Sequence, residues 1–421
     1  MNSTISFRAA PLLRFALINL LLVSILGGIM RYKISFAMPW IDQKHILHAH
    51  SHLAFVGWVS HTLMVLIGLY IHNFTHKSMK RLMPFIILNL VAAYGMLISF
   101  VLSGYSLISI GFSTLSLVVF FGFAYVIWTG LSVSVIPVIV RYWIRLALIC
   151  GMVSFLGTLS LAYMMAIQDV TEKKYLASTY FYLHFQYNGW FLFSCMALFF
   201  AKLRDWGIRF QHQLPIFWLF ALSVLPAYIL STLWMPIPTW MYIIVILAAV
   251  AQVIALILFL QNVIKNRAQF KSKVNSVIRM CFNLSLFALT IKVLLQLGSV
   301  VPYLGNLAFG YRSIVIGYLH LALLGVITIF LLGYIVGISK SYNNKNVKLG
   351  IVIFLIGVIL NELALMIQGV GGLFFIFVPY MNQSLFFIAL ILFSGILILN
   401  LSMNLKNLNE PDIIEDKEEI F

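Results

Sequence analysis

The sequence predicts an all-α polytopic membrane protein: twelve transmembrane helices in three pseudo-symmetric four-helix units. Three observations predict this. Hydrophobic residues make up 62% of the 421 residues and charged ones only 9%, with a mean hydropathy of +1.03, values far from those of an average soluble domain. Apolar runs long enough to cross a hydrocarbon layer of about 30 Å recur along the whole chain. A third signal is a phrase used three times, a histidine followed five residues later by glycine, each time early in such a run. It reads His52-Leu-Ala-Phe-Val-Gly57-Trp58, His184-Phe-Gln-Tyr-Asn-Gly189-Trp190 and His320-Leu-Ala-Leu-Leu-Gly325-Val326, at intervals of 132 and 136 residues. Each interval holds about four spans with their loops.

The first span, 14–36, follows Arg8 and Arg14 without a small-residue cleavage site, so it is expected to be retained rather than removed as a signal peptide. Spans 2 to 4 are expected at 43–72, 83–103 and 107–130. The apolar stretch 131–140 leaves two readings, in which Pro137 either follows the end of the fourth helix or kinks its continuation. The second unit supplies spans at 143–166, 177–201, 214–234 and 239–264, and the third at 278–300, 312–337, 348–371 and 378–402. These give repeat-like units at about 1–140, 141–275 and 276–405 in one integral membrane domain, followed by an acidic tail at 406–421. No separate soluble domain is expected.

The net charge of +16 reads as topology and attraction to anionic membrane lipid, not as a nucleic-acid surface. With the N-terminus inside, twenty Lys and Arg residues fall on the cytoplasmic side and six outside. The bias predicts a multi-pass protein of the bacterial inner membrane with both termini cytoplasmic. Cys150, Cys195 and Cys281 all fall in or at spans, which argues against disulfides, and no C-x-x-C-H motif attaches haem covalently.

In this orientation spans 2, 6 and 10 enter from the outer face. His48, His50 and His52, then His184, then His320 share one depth, about 8–15 Å in at ~1.5 Å per residue. Imidazole in a bilayer is costly without a partner, and it is the commonest protein ligand for haem iron and copper. Three matched positions therefore suggest a metal or haem site; the competing reading for any one of them is a hydrogen-bonded packing residue. In span 2, His45, His48 and His52 share a helix face, while His50 points toward the face of His61. The glycine at the fifth position thins the flank for close approach of another helix or a flat macrocycle.

Two charged side chains lie near the midplane, Lys292 in span 9 and Glu362 in span 11. Either they pair with each other, or Glu362, with Asn361 and Gln368, begins a proton path.

Twelve helices in three arcs, with candidate metal-ligand histidines in the outer part of helices 2, 6 and 10, resemble the catalytic subunit of the haem-copper oxidase and nitric oxide reductase superfamily. The segment His48-Ala-His50-Ser-His52-Leu-Ala-Phe-Val-Gly57-Trp58-Val59 is similar to the His-Ala-His-x-x-x-x-Gly-Trp-Val wording of short oxidase-like relatives. The resemblance implies an oxidoreductase holding haem b, with His52 (or His48 or His50) and His320 as the low-spin pair. It implies His184 as the span 6 copper ligand and a separate electron donor such as a quinol or a cytochrome c subunit. The chain departs from the family in having no histidine in span 7, a single one in span 10, and Tyr187 three rather than four residues after His184.

Leu47-His48-Ala-His50 and His320-Leu-Ala-Leu-Leu-Gly325 are also similar to segments of NnrS-type haem- and copper-containing membrane proteins of the nitric oxide response. A secondary transporter is the reading from a different class, and the threefold rather than twofold repeat argues against it. Among the haem ligands the expectation is chiefly His52 with His320. Arg312, eight residues before His320, is the first candidate partner for a haem propionate, followed by Arg31 and Lys33.

Overall fold

The computed structural model describes residues 9–75, 79–132, 136–305, 311–405 and 408, so the acidic tail expected at 406–421 lies, apart from Leu408, outside the described residues. Among the described residues the chain is helical with no strand, as an all-α polytopic membrane protein requires. Eleven helices are long and apolar enough to cross a membrane: α1 (Ala9–Ser35), α2 (Gln43–Phe74), α3 (Arg81–Ser103), α4 (Leu107–Gly130), α5 (Val138–Ala166), α7 (Gln213–Thr232), α8 (Thr239–Lys265), α9 (Ser276–Ser299), α10 (Arg312–Ile338), α11 (Lys345–Leu373) and α12 (Met381–Ser402). The expected sixth span is also helical, as consecutive segments Glu172–His184, Phe185–Phe191 and Leu192–Asp205, which together form α6. It is less apolar than the other eleven because His184, Gln186, Tyr187 and Asn188 stand in its middle. All four are buried, so their polarity faces protein rather than lipid.

Local chemistry sets the helix ends. Asp42 caps α2, its carboxylate accepting the backbone N–H of Lys44 and His45 at 2.7 and 3.0 Å. The two readings of 131–140 resolve at Pro137, which precedes the first residue of α5 instead of kinking α4. At Gly104, φ is +57° and a Cβ would meet Nε2 of His45 at 2.6 Å, so the tight α3–α4 turn needs glycine.

Helices α2, α6 and α10 form the interior. In the apolar windows of α2 and α10, 83% and 78% of residues are buried, against 22–50% in the other nine of the eleven. The central three are tied together by indoles: Trp58 of α2 donates to Thr328 of α10 at 3.0 Å, and Trp190 of α6 donates to Ser60 of α2 at 3.2 Å. Around them, α1 packs on α12, where Arg14 donates to the carbonyls of Asn400 and Met403, both at 2.6 Å.

The three histidine phrases share a feature that a plain helical wheel does not reveal. Immediately after each histidine the helix widens to π winding, over Leu53–Ser60, Phe185–Phe191 and Leu321–Thr328. π-Helix is rare and concentrates at functional sites. The α-helical segments before it are 10, 13 and 9 residues long, so the three histidines do stand at similar distances from their helix starts. Winding i→i+5 detaches carbonyls from the usual ladder, and polar side chains of neighbouring helices take them up. Asn19 of α1 donates to Gly57 O at 2.6 Å, Asn89 of α3 to Val56 O at 3.1 Å, and Ser285 of α9 to Val326 O at 2.7 Å.

Candidate functional site

The histidines of α2 separate into two groups. His52 stacks on Phe100 of α3, ring centroids 4.5 Å apart and 15° from parallel, and His48 meets the edge of Tyr105 at 4.6 Å. Burial pushes the Tyr105 phenol, in the α3–α4 turn, up to about 12, so it stays neutral beside His48. His50 turns the other way. Its Nδ1 hydrogen-bonds the carbonyl of Val23 in α1 at 3.0 Å, and its Cε1 lies 3.3 Å from where a Cβ on Gly27 would stand. His61, on the same side of α2, bonds the carbonyl of Leu12 at 3.1 Å.

His50 and His320 come within electrostatic reach of each other, and Arg31 of α1 acts on both. His320 holds its ring as His50 does, through Nδ1 and a backbone carbonyl, that of Ile316 at 2.8 Å. A carbonyl only accepts, so in both rings the proton is on Nδ1 and the lone pair on Nε2. That tautomer is the one a metal-binding histidine adopts when its second nitrogen is anchored. Of the histidines at the start of α2, His50 is the one within electrostatic reach of His320. Among the cations, Arg312 stands exposed at the first residue of α10, Lys33 donates to Met38 O at 2.7 Å, and Arg31 is the one within electrostatic reach of both rings.

His184 belongs to a different environment. Nε2 donates to the carbonyl of Val224 in α7 at 2.7 Å, and Nδ1 accepts from the amide of Asn188 at 3.0 Å. Pro226 ends the regular part of α7 and the chain tightens to 3-10 winding over Tyr228–Thr232; the Tyr228 N–H turns to Leu225 and Pro226, releasing the Val224 carbonyl for the imidazole. Both nitrogens of His184 are therefore engaged, and binding a metal there requires breaking one bond. Tyr187, one turn on, meets the ring of Tyr318 of α10 edge-on with centroids 6.1 Å apart, which links the His184 cluster to the helix that carries His320.

Lys292 and Glu362 do not pair, contrary to one of the two sequence readings. Lys292, 3% exposed, donates to Gln296 of its own helix at 3.0 Å. Glu362 accepts from Asn361 at 3.1 Å. The two ion pairs among the described residues are Lys174–Asp169 and Lys202–Asp205. The cause is the facing of the helices: α9 turns Lys292 into the buried interior, while Glu362 lies half-buried on α11. The three cysteines are free and buried on three different helices.

Sequence reasoning missed Asn188 and the Val224 carbonyl; their signal was Pro226 inside an apolar run opposite a histidine. It also missed the Ser and Thr two residues beyond the tryptophan position, which receive the central indoles. Among the described residues no three His, Cys, Asp or Glu side chains converge as a metal-binding group. No family model matches the chain, and no curated protein matches it either.

Proposed function

We propose that this chain is an integral membrane haem protein in which Nε2 of His50 and Nε2 of His320 hold haem b between α2 and α10. One observation carries the reading: the two rings lie within electrostatic reach of each other, each anchored through Nδ1–H to a backbone carbonyl, so each offers its lone pair at Nε2. A haem held by two histidines supplies one-electron transfer when bound. The chain's own part is to fix both rings, to bring Gly27 close against His50 and to set Arg31 where a propionate needs a cation. The same proposal takes the twelve helices as spans of a bacterial inner membrane with both termini cytoplasmic, on the strength of the cation bias, and calls for a separate electron donor.

The donor set favours electron transfer or a nitric oxide response of the NnrS kind over reduction of oxygen at a haem-copper centre. α7 carries no histidine, and both nitrogens of His184 are already used. The test is a dithionite-reduced minus oxidised spectrum of purified protein with pyridine haemochromogen and copper assays. His50→Ala and His320→Ala should each lose the b-type bands, while His52→Ala, which removes only a ring stacked on Phe100, should keep them. Full haem in folded His50→Ala and His320→Ala would sink the assignment. Arg31→Gln should keep haem and lower its midpoint potential by tens of millivolts, whereas Arg312→Gln should leave it unchanged.

A further inference from the structure

The indole links of the central helices follow a cyclic rule that is broken at one of its three places. Counting from each phrase histidine, the residue at the sixth position is Trp58, Trp190 or Val326, and that at the eighth is Ser60, Leu192 or Thr328. Trp58 of the first phrase bonds Thr328 of the third, and Trp190 of the second bonds Ser60 of the first. The remaining junction, third to second, has Val326 and Leu192: no indole, and no hydroxyl to receive one. A cavity of about 160 Å³ lies there, walled by both residues and by Phe199, Phe282, Leu289 and Phe330. That is the size of an engineered apolar cavity able to take up benzene, roughly 150 Å³.

The cavity is not sealed in apolar side chains. Arg267 and Arg279 line it at the end of the bundle where α8 leads into α9, and residues 265–279 carry five cations, Lys265, Arg267, Lys271, Lys273 and Arg279, with no acid among them. Arg279 spends Nη1 on the carbonyls of Phe270, Lys271 and Val274 at 3.4, 3.0 and 3.0 Å, leaving Nε and Nη2 for another acceptor. Arg279 and Asn283 also line a second, larger hollow of about 600 Å³ between α9 and α11, walled by Leu284, Phe287, Leu355 and Ile359. One cationic post thus stands between two apolar recesses.

We propose that this is a binding site for an anionic diacyl phospholipid of the surrounding bilayer. Its phosphate meets Arg279 and Arg267, one acyl chain enters the cavity at the missing indole, and the other lies in the hollow between α9 and α11. The charge selects an anionic headgroup, and the two recesses on either side of Arg279 select two chains. The site is independent of the haem reading and uses none of its residues.

The experiment compares lipid retained by the whole protein, released from bilayers of equal parts phosphatidylglycerol and phosphatidylcholine, by native mass spectrometry. One tightly held phosphatidylglycerol is expected. Arg267→Gln, an exposed side chain, should lower the preference for the anionic lipid about fivefold, the equivalent of ~1 kcal/mol for one cation near the membrane surface. Arg279→Gln also removes bonds to three carbonyls, so the second variant is Val326→Trp with Leu192→Ser, which restores the third link and fills the cavity. Folded and thermally at least as stable as the parent, it should lose the bound lipid. Retention of phosphatidylcholine as strong as that of phosphatidylglycerol, or full lipid retention in the filled variant, overturns the proposal.

Discussion

Replacing His184 by alanine separates a hydrogen-bonding staple from a metal ligand. The ring is 1% exposed and joins two groups that have no water to turn to: the Val224 carbonyl at 2.7 Å and the Asn188 amide at 3.0 Å. Truncation leaves both without that partner, at about 1–3 kcal/mol each, and opens a void where an aromatic ring packed against Phe185 and Tyr228. A loss of roughly 2–6 kcal/mol is expected from the two bonds alone, read as a shift in reversible denaturation in mixed micelles. His184→Gln, which keeps a donor and an acceptor on a shorter arm, should recover part of it. Haem content per folded molecule should not change in either variant. His184→Ala with parental stability but with copper or haem lost would refute the staple and make the ring a ligand.

Other expectations follow from the same contacts. Because Lys292 and Glu362 have separate partners, Lys292→Met and Glu362→Gln should add in a double-mutant cycle to within about 0.5 kcal/mol; a larger coupling would mean they do interact. Of the phrase glycines, Gly189→Ala should be the most damaging, since its Cβ would meet Cys150 Cβ at 2.4 Å, a clash fixed by two backbones and expected to cost about 1–3 kcal/mol. Gly325→Ala meets Ala288 Cβ at 3.1 Å, and Gly57→Ala clashes with the movable tip of Leu53 while touching Ala93 Cβ at an ordinary 3.4 Å, so the loss in melting temperature should fall in that order. At the start of α2, the backbone N–H of His45, then that of Lys44, hold the Asp42 carboxyl below its ordinary value of 3.8. Since the folded value is the lower one, the stabilisation is complete above the unfolded value and fades as pH falls through the folded value. Acid unfolding of Asp42→Asn should lack this component, and an identical acid limb in the two proteins would contradict the cap.

Much of the fold was legible because hydropathy reports where backbone must satisfy itself in helices. Each span from 43–72 to 378–402 found its helix within a few residues, apart from the earlier start of α1, and α6 differs only in being less apolar than the others. The three histidines were legible as a set through their repeat. Which ring meets which was less so, because a wheel drawn at 3.6 residues per turn ignores the π winding directly after each histidine. His50 was correctly turned away from His45, His48 and His52 and toward the side of His61, since those four precede the widening. That it comes within electrostatic reach of His320, 270 residues later, depends on how α1, α2 and α10 pack, which no local pattern encodes. Lys292 and Glu362 looked like partners for the same reason: depth can be counted along a sequence, whereas azimuth across a bundle cannot.

The clasp of Arg14 on the last turn of α12 bears on how the protein is made. Its two acceptor carbonyls belong to residues 400 and 403, so α1 waits for α12 to be synthesised before its contacts are complete. At about 5–20 residues per second, that wait is roughly 20–80 s. Through most of it α2, with four histidines in its first ten residues, must sit in the bilayer without α10 to cover it. Helices α1 and α2 therefore depend on nascent neighbours or insertion machinery for shelter, and any group held jointly by α2 and α10 is loaded only after the 260-odd residues between Gln43 and Arg312 have been threaded.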